Sequence, residues 1–129
     1  MAGLVLRIVV AAGLAVSAFL HLDLAATYDG IGEQLTVGDL FRAQGVVGLL
    51  VAVAVLAVRR RVVLLAAVLV SAAATAAVVS SVYLRVPAIG PFPELYEPVW
   101  YTEKRVSGAA TAVALLVGSA ALLRRRRRA

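Results

Sequence analysis

The sequence predicts an all-α fold, a single domain of four transmembrane helices with two loops at one end, and three observations carry that prediction. Composition is the first: 63% of the 129 residues are hydrophobic and 16% charged, against about 45–50% and about 25% in soluble domains. Mean hydropathy is +0.98. The second is arrangement, because the apolar residues fall in long runs parted by short charged ones, a pattern that excludes intrinsic disorder. The third is length. Four runs reach the roughly 20 residues that a helix rising 1.5 Å per residue needs to cross a hydrocarbon core of about 30 Å.

The first helix is expected over about residues 3–26, with Arg7 near one end and His21 and Asp23 near the other. Its uninterrupted core, residues 8–20, has only the 13 residues of a signal peptide, but a cut after Ala26 would leave Leu24 where a small residue is wanted. A retained helix is therefore expected, with Arg7 snorkelling to the interface. The second spans about 37–58 and opens on Thr36 and Asp39, a capping box with Asp in place of Glu. The third, 62–84, carries no charge. The fourth, 98–123, begins at Pro98, whose missing N–H suits the first helical position. Arg59, Arg60 and Arg61 join helices two and three so tightly that the two must be antiparallel neighbours. Of the two longer loops, 28–36 contains Gly30 and Gly32, and 85–98 holds every proline, Pro87, Pro91, Pro93 and Pro98, so no helix crosses it. The chain has no internal repeat.

Thirteen basic residues against seven acidic, with a pI near 10.8, would ordinarily raise nucleic acid as a partner. Placement excludes it. Arg59, Arg60 and Arg61, and Arg124, Arg125, Arg126, Arg127 and Arg128, directly abut the apolar runs, where arginines set topology and meet anionic lipid. With Arg7 they put nine basic residues and no acid at one end; Arg42, Arg85, Lys104 and Arg105 share the other with all seven acids. The positive-inside rule then expects both termini in the cytoplasm. Twelve arginines to one lysine, with Ala, Val and Leu filling the spans, point to a high-GC bacterium and its cytoplasmic membrane. The absence of cysteine excludes disulfides, thiolate chemistry and iron–sulfur clusters.

All eight aromatic residues lie toward the end opposite the arginines, so a site is expected there; Tyr83, Trp100 and Tyr101 also suit plain interfacial anchors. His21 shares a helical face with Gly13 and Ser17, a small-xxx-small pair that invites close helix packing. An ionisable group at such depth is a ligand-binding candidate or a structural hydrogen-bonding residue. Gln44, on a face with Gly48, is its expected partner, with Tyr28 and Trp100 or Tyr101 closing the outer side. Glu103, Ser107 and Thr111 recur at four-residue spacing, as do Ser71 and Thr75, but lone hydroxyls in membrane helices bond mostly to their own backbone. One histidine among scattered carboxylates is a poor metal set. Haem held by two histidines would need a homodimer, and no nucleophile elbow, phosphate loop or dinucleotide fingerprint is present.

The stretch His21-Leu22-Asp23-Leu24, then Tyr28, then Thr36-Val37-Gly38-Asp39-Leu40-Phe41 with Gln44, resembles a group of small uncharacterised four-helix membrane proteins of high-GC bacteria. In layout the chain is similar to the broader DoxX-like proteins, some of which are linked to quinone or thiol redox systems. The closer resemblance covers about a fifth of the chain, singles out His21, Tyr28, Phe41 and Gln44, and implies no reaction. With Trp100, Tyr101 and Glu103 these form the set of ligand-binding candidates. Three functions stand open: a non-catalytic accessory protein with a membrane-protein partner or a homo-oligomer, a redox-linked protein binding a quinone or another small apolar ligand, and a small oligomeric channel or transporter. The short loops favour a non-enzymatic role.

Overall fold

In the computed structural model, which describes residues 2–85 and 87–128, the chain forms four helices: α1 Ala2–Leu24, α2 Val37–Ala57, α3 Arg61–Tyr83 and α4 Thr102–Arg128. A 3₁₀ turn, Ala25–Tyr28, extends α1. All four helices are long and apolar enough to cross a membrane, and they build the four-helix bundle that the composition predicts. Both termini and the three-residue link 58–60 lie at one end, the arginine end; the connections 29–36 and 84–101 lie at the other, the cap end.

Local chemistry sets most boundaries. Thr36 Oγ1 accepts from the Asp39 N–H and the Asp39 carboxylate accepts from the Thr36 N–H, both at 3.0 Å, which completes the expected capping box at the start of α2. The fourth helix departs from expectation, because it starts at Thr102 and not at Pro98. Residues 97–99 instead form a tight turn, Val99 N–H to the Glu97 carbonyl at 2.8 Å, while the Glu97 N–H donates to the Ser81 carbonyl of α3 at 2.7 Å. Those tertiary bonds outweigh the preference of proline for a first helical turn, and Tyr101 takes the first helical carbonyl. At its other end α4 runs past Leu123 to Arg128, as the high helix propensity of arginine allows. The side chains of Arg125, Arg126, Arg127 and Arg128, assigned above to topology and lipid, lie outside the described residues.

Packing inside a bilayer gains little from the hydrophobic effect and depends on how closely backbones approach. Here glycines set the approach. A Cβ added to Gly13 would stand 2.6 Å from the Ala110 carbonyl oxygen of α4; one added to Gly48 would meet the Ala18 Cβ of α1 at 3.1 Å. Gly45 faces Leu22 and Ala18, and Gly108 and Gly118 of α4 face Val78 and Val68 of α3. The contacts therefore run α2 to α1, α1 to α4 and α4 to α3. Although joined by three residues, α2 and α3 touch far less than those three pairs do, so the tight link makes them neighbours without making them a packed pair.

Toward the arginine end the interior is dry, a cluster of Val10, Ala11, Leu14, Ala52, Val55, Ala67 and Ala114. Arg7 does not snorkel outward as expected. It is buried, and its guanidinium donates to the Val58 carbonyl just past the C-terminus of α2, where a cation satisfies an orphan acceptor and the negative end of the helix dipole. Hydroxyls replace the apolar core toward the cap: Ser17 bonds Ser107 at 2.8 Å and Thr75 bonds Thr111 at 3.0 Å. Thr75 and Thr111 also bond back to the carbonyls of Ser71 and Ser107, the local use expected of lone hydroxyls. With one proton per hydroxyl, these local bonds alternate with the Thr75–Thr111 bond, whereas Ser17–Ser107 joins α1 to α4 in its own right. Ser71 Oγ, fully buried, has no hydrogen-bond partner among the described residues.

Candidate functional site

Above the hydroxyl layer the four helices enclose a cavity of about 180 Å³. Leu20, Leu24, Val37, Ala77, Val78 and Leu95 supply its apolar walls; His21, Tyr28, Glu97, Tyr101, Lys104 and Ser107 supply its polar groups.

The polar groups form an ordered network. The Tyr28 hydroxyl donates to the Glu97 carboxylate at 2.8 and 3.0 Å. Its oxygen lies 2.6 Å from the Tyr101 hydroxyl. With the Tyr28 proton committed to Glu97, Tyr101 must be the donor of that bond. Lys104, with a side chain only 7% exposed, meets the Glu97 carboxylate at 2.9 Å and donates to the Glu97 carbonyl at the same distance. Its ammonium also lies 5.5 Å from the Tyr101 ring centre, within cation–π range. Burial above all, with the Glu97 and Glu103 charges adding, pushes the Tyr101 hydroxyl above the usual phenol range. It is a proton donor at neutral pH.

His21 faces this network from α1. Its Nδ1 lies 2.7 Å from the Ser17 carbonyl, which makes Nδ1 the protonated nitrogen. In the neutral ring Nε2 is then an acceptor, and it has no partner among the described residues. The ring packs edge-on against Phe41 at 4.9 Å, and the Tyr28 ring lies 4.7 Å from the Phe41 ring.

Of the sequence candidates, then, His21, Tyr28, Phe41 and Tyr101 converge on the cavity and three do not. Gln44 lies outside the lining and makes no hydrogen bond among the described residues; the ring of His21 meets Phe41, three residues earlier on α2, and its bonded nitrogen is taken by its own helix. Trp100 points away, its Nε1–H donating to the Tyr83 hydroxyl at 3.2 Å on the outside of α3. Glu103 is exposed on the first turn of α4. Sequence reasoning missed Lys104 and Glu97, the charged centre of the network. The one available signal was that Lys104 is the sole lysine in an arginine-rich chain. Among the described residues no group of three or more His, Asp or Glu is placed to hold a metal ion.

Outside the cavity the two loops are stitched together. Leu35 N–H donates to the Pro91 carbonyl at 3.1 Å, and Arg42 grips Asp29 with both terminal nitrogens at 2.7 and 2.8 Å. That hydrogen-bonded guanidinium holds the Asp29 carboxyl below the usual carboxylate range. Ile89 and Phe92 exchange backbone bonds around Gly90, at φ +57°, and both side chains are exposed. Comparison with protein-family models, curated proteins and solved structures returns no match to this chain.

Proposed function

We propose that this chain is a multi-pass protein of a bacterial cytoplasmic membrane that binds a small, largely apolar molecule bearing one or two hydrogen-bonding oxygens. The observation that carries this reading is a mostly apolar cavity lined by a donor with a proton to spare, Lys104, and by an uncommitted acceptor, His21 Nε2. A cavity of about 150 Å³ accepts a benzene ring, so about 180 Å³ holds one ring or a short chain. A quinone, the ligand class suggested by the DoxX-like resemblance, fits these groups: a carbonyl oxygen would accept from Lys104, and a quinol hydroxyl would donate to His21. Purification in mild detergent, lipid extraction and an absorbance spectrum test the reading. The expected result is one ring compound retained per chain and lost in Lys104→Met at unchanged helicity; a clean, fully helical protein with no extractable compound overturns it.

A second reading, a non-catalytic accessory protein, is favoured by the Ile89–Phe92 tip, which holds two large apolar side chains outside any span at 64% and 52% exposure. It expects a second protein to copurify and to be released by Ile89→Ser with Phe92→Ser. For either reading we place the arginine end in the cytoplasm, on the nine basic residues and no acid there. Reporters fused at the C-terminus and between Arg60 and Arg61 should report cytoplasm, and one at Pro91 the exterior.

A further inference from the structure

Three of the four seams around the bundle are closed by glycine. Gly45 and Gly48 bring α2 onto α1, Gly13 brings α1 onto α4, and Gly108 and Gly118 bring α4 onto α3. None of the helical glycines faces across the seam between α2 and α3, which is also where these neighbours touch least. Near the link at 58–60 the seam is shut, because Ala52 and Val55 of α2 and Ala67 of α3 share the dry core. Farther from the link the two helices hold the cavity between them: Val37 and Phe41 line it from α2, Ala77, Val78 and Ser81 from α3.

The depth of that gap matters. Ala77 lies six residues inside the end of α3 and Phe41 four residues inside the start of α2, about 9 Å and 6 Å at 1.5 Å per residue. The first turns of α2 carry Asp39 and Arg42 and the last turns of α3 carry Ser80 and Ser81, so the gap opens just beneath this polar rim, where the apolar runs of both spans begin. Its smallest side chain, Ala77, is exposed although it lines the cavity. The polar groups Tyr28, Glu97 and Lys104 belong to the 3₁₀ turn after α1, the second loop and α4, so none of them is carried by the two helices of the seam.

We infer that the α2–α3 seam is a lateral doorway through which the cavity fills from the hydrocarbon of the bilayer. Its occupant is an amphiphile that presents an oxygen to the Tyr28–Glu97–Lys104 network and leaves an apolar chain between Phe41 and Ala77. This rests on the ligand reading above and adds to it the route and the overall shape of the ligand. A cavity with room for one ring becomes sufficient when the remainder of the molecule lies in the seam. Phe41 lines the cavity from α2 beside the seam and packs on both His21 and Tyr28, so a guest that displaces it disturbs both polar partners at once.

Fluorescence quenching in vesicles tests the doorway without knowledge of the ligand. Trp100 is the only tryptophan, so Phe41→Trp in a Trp100→Phe background gives a single reporter at the cavity. In vesicles of phosphatidylcholine brominated on its acyl chains the reporter should be strongly quenched, and aqueous acrylamide should quench it weakly. Adding Ala77→Phe, which fills the gap, should abolish most of the bromolipid quenching; Leu69→Trp, an exposed position lower on α3, should keep its own with or without the plug. Quenching by acrylamide but not by bromolipid, or bromolipid quenching that survives the plug, overturns the doorway. Should Phe41→Trp not fold, Leu20→Trp on the α1 wall of the cavity gives the same comparison. An open seam in a protein that retains no small molecule would sink the ligand reading and leave the doorway standing, so the two failures are separable.

Discussion

Lys104 shows how much one buried cation can organise. Its side chain is 7% exposed, and it holds Glu97 by both carboxylate and carbonyl, so the carboxylate is left correctly aimed to accept from Tyr28. Tyr28 is the middle member of the resulting chain and should be worth more than its neighbours. Hydrogen bonds between membrane helices average about 0.6 kcal/mol, and one to a charged acceptor is worth somewhat more, so Tyr28→Phe should cost roughly 1 kcal/mol and Tyr101→Phe less. The double variant should cost less than the sum, because the Tyr28–Tyr101 bond is lost only once. Thermal unfolding in detergent checks both the order and the coupling. A second residue-scale expectation concerns acid. Arg42 lowers the folded-state pKa of Asp29 below its unfolded value, near 3.9, so the unfolded chain binds that proton more readily. The stabilisation is present in full above about pH 4 and is lost as pH falls through the lowered value. Asp29→Asn should therefore flatten the fall of the unfolding midpoint below pH 4 and leave its pH dependence unchanged near neutrality.

At the scale of the element, the same glycine substitution should have unequal effects on different seams. A Cβ on Gly13 would strike the backbone oxygen of Ala110 at 2.6 Å, which only a shift of α1 or α4 can relieve; on Gly45 the nearest atoms, at 2.5 and 2.7 Å, are Cγ and Cδ2 of the Leu22 side chain, and the backbone oxygen of Ala18 stands farther off at 3.0 Å. Gly13→Ala should therefore destabilise by about 2 kcal/mol or more and Gly45→Ala by about 1 or less, measured in one detergent by one method. Thr36→Ala, which removes the cap of α2, should cost about 1 kcal/mol. These elements were legible in the sequence because each rests on a local pattern: apolar length for the spans, Thr36 with Asp39 for the cap, and Gly13 with Ser17 for the inward face of α1. The start of α4 was not legible, since Pro98 reads as a first helical residue until the bond from Glu97 to Ser81 of α3 is known. Half of the site was lost for the same reason. His21, Tyr28, Phe41 and Tyr101 stand out by type, but Glu97 and Lys104 meet across a loop whose path no periodicity predicts, and the His21 ring meets Phe41 in place of the expected partner Gln44, three residues on along the same helix.

For the whole molecule, the decisive feature is that side-chain polarity is graded along the bundle axis. The cap end holds the cavity and its network, the middle holds two hydroxyl pairs between helices, and the arginine end is closed by Val10, Leu14, Val55, Ala67 and Ala114, each at most 2% exposed. Polar groups thus reach about halfway through a single copy and give way to this apolar layer, beyond which Arg7 is buried against the Val58 carbonyl. A transport path would need them to continue, since an apolar layer packed at this density leaves no room for water. The absence of native cysteine makes the gradient measurable by single introduced cysteines in sealed vesicles. Ile31→Cys, on the exposed rim of the cavity, should react quickly with a water-soluble maleimide from the cap side; Ala67→Cys and Ala114→Cys should stay unreactive from both sides for as long as the protein remains folded. Vesicles carrying the unmodified protein should hold a proton gradient as long as protein-free vesicles do. Labelling of Ala67→Cys from the arginine end, or a gradient that collapses in proportion to the protein added, would mean that the apolar layer opens, and the cavity would then be the mouth of a pathway and not a closed binding site.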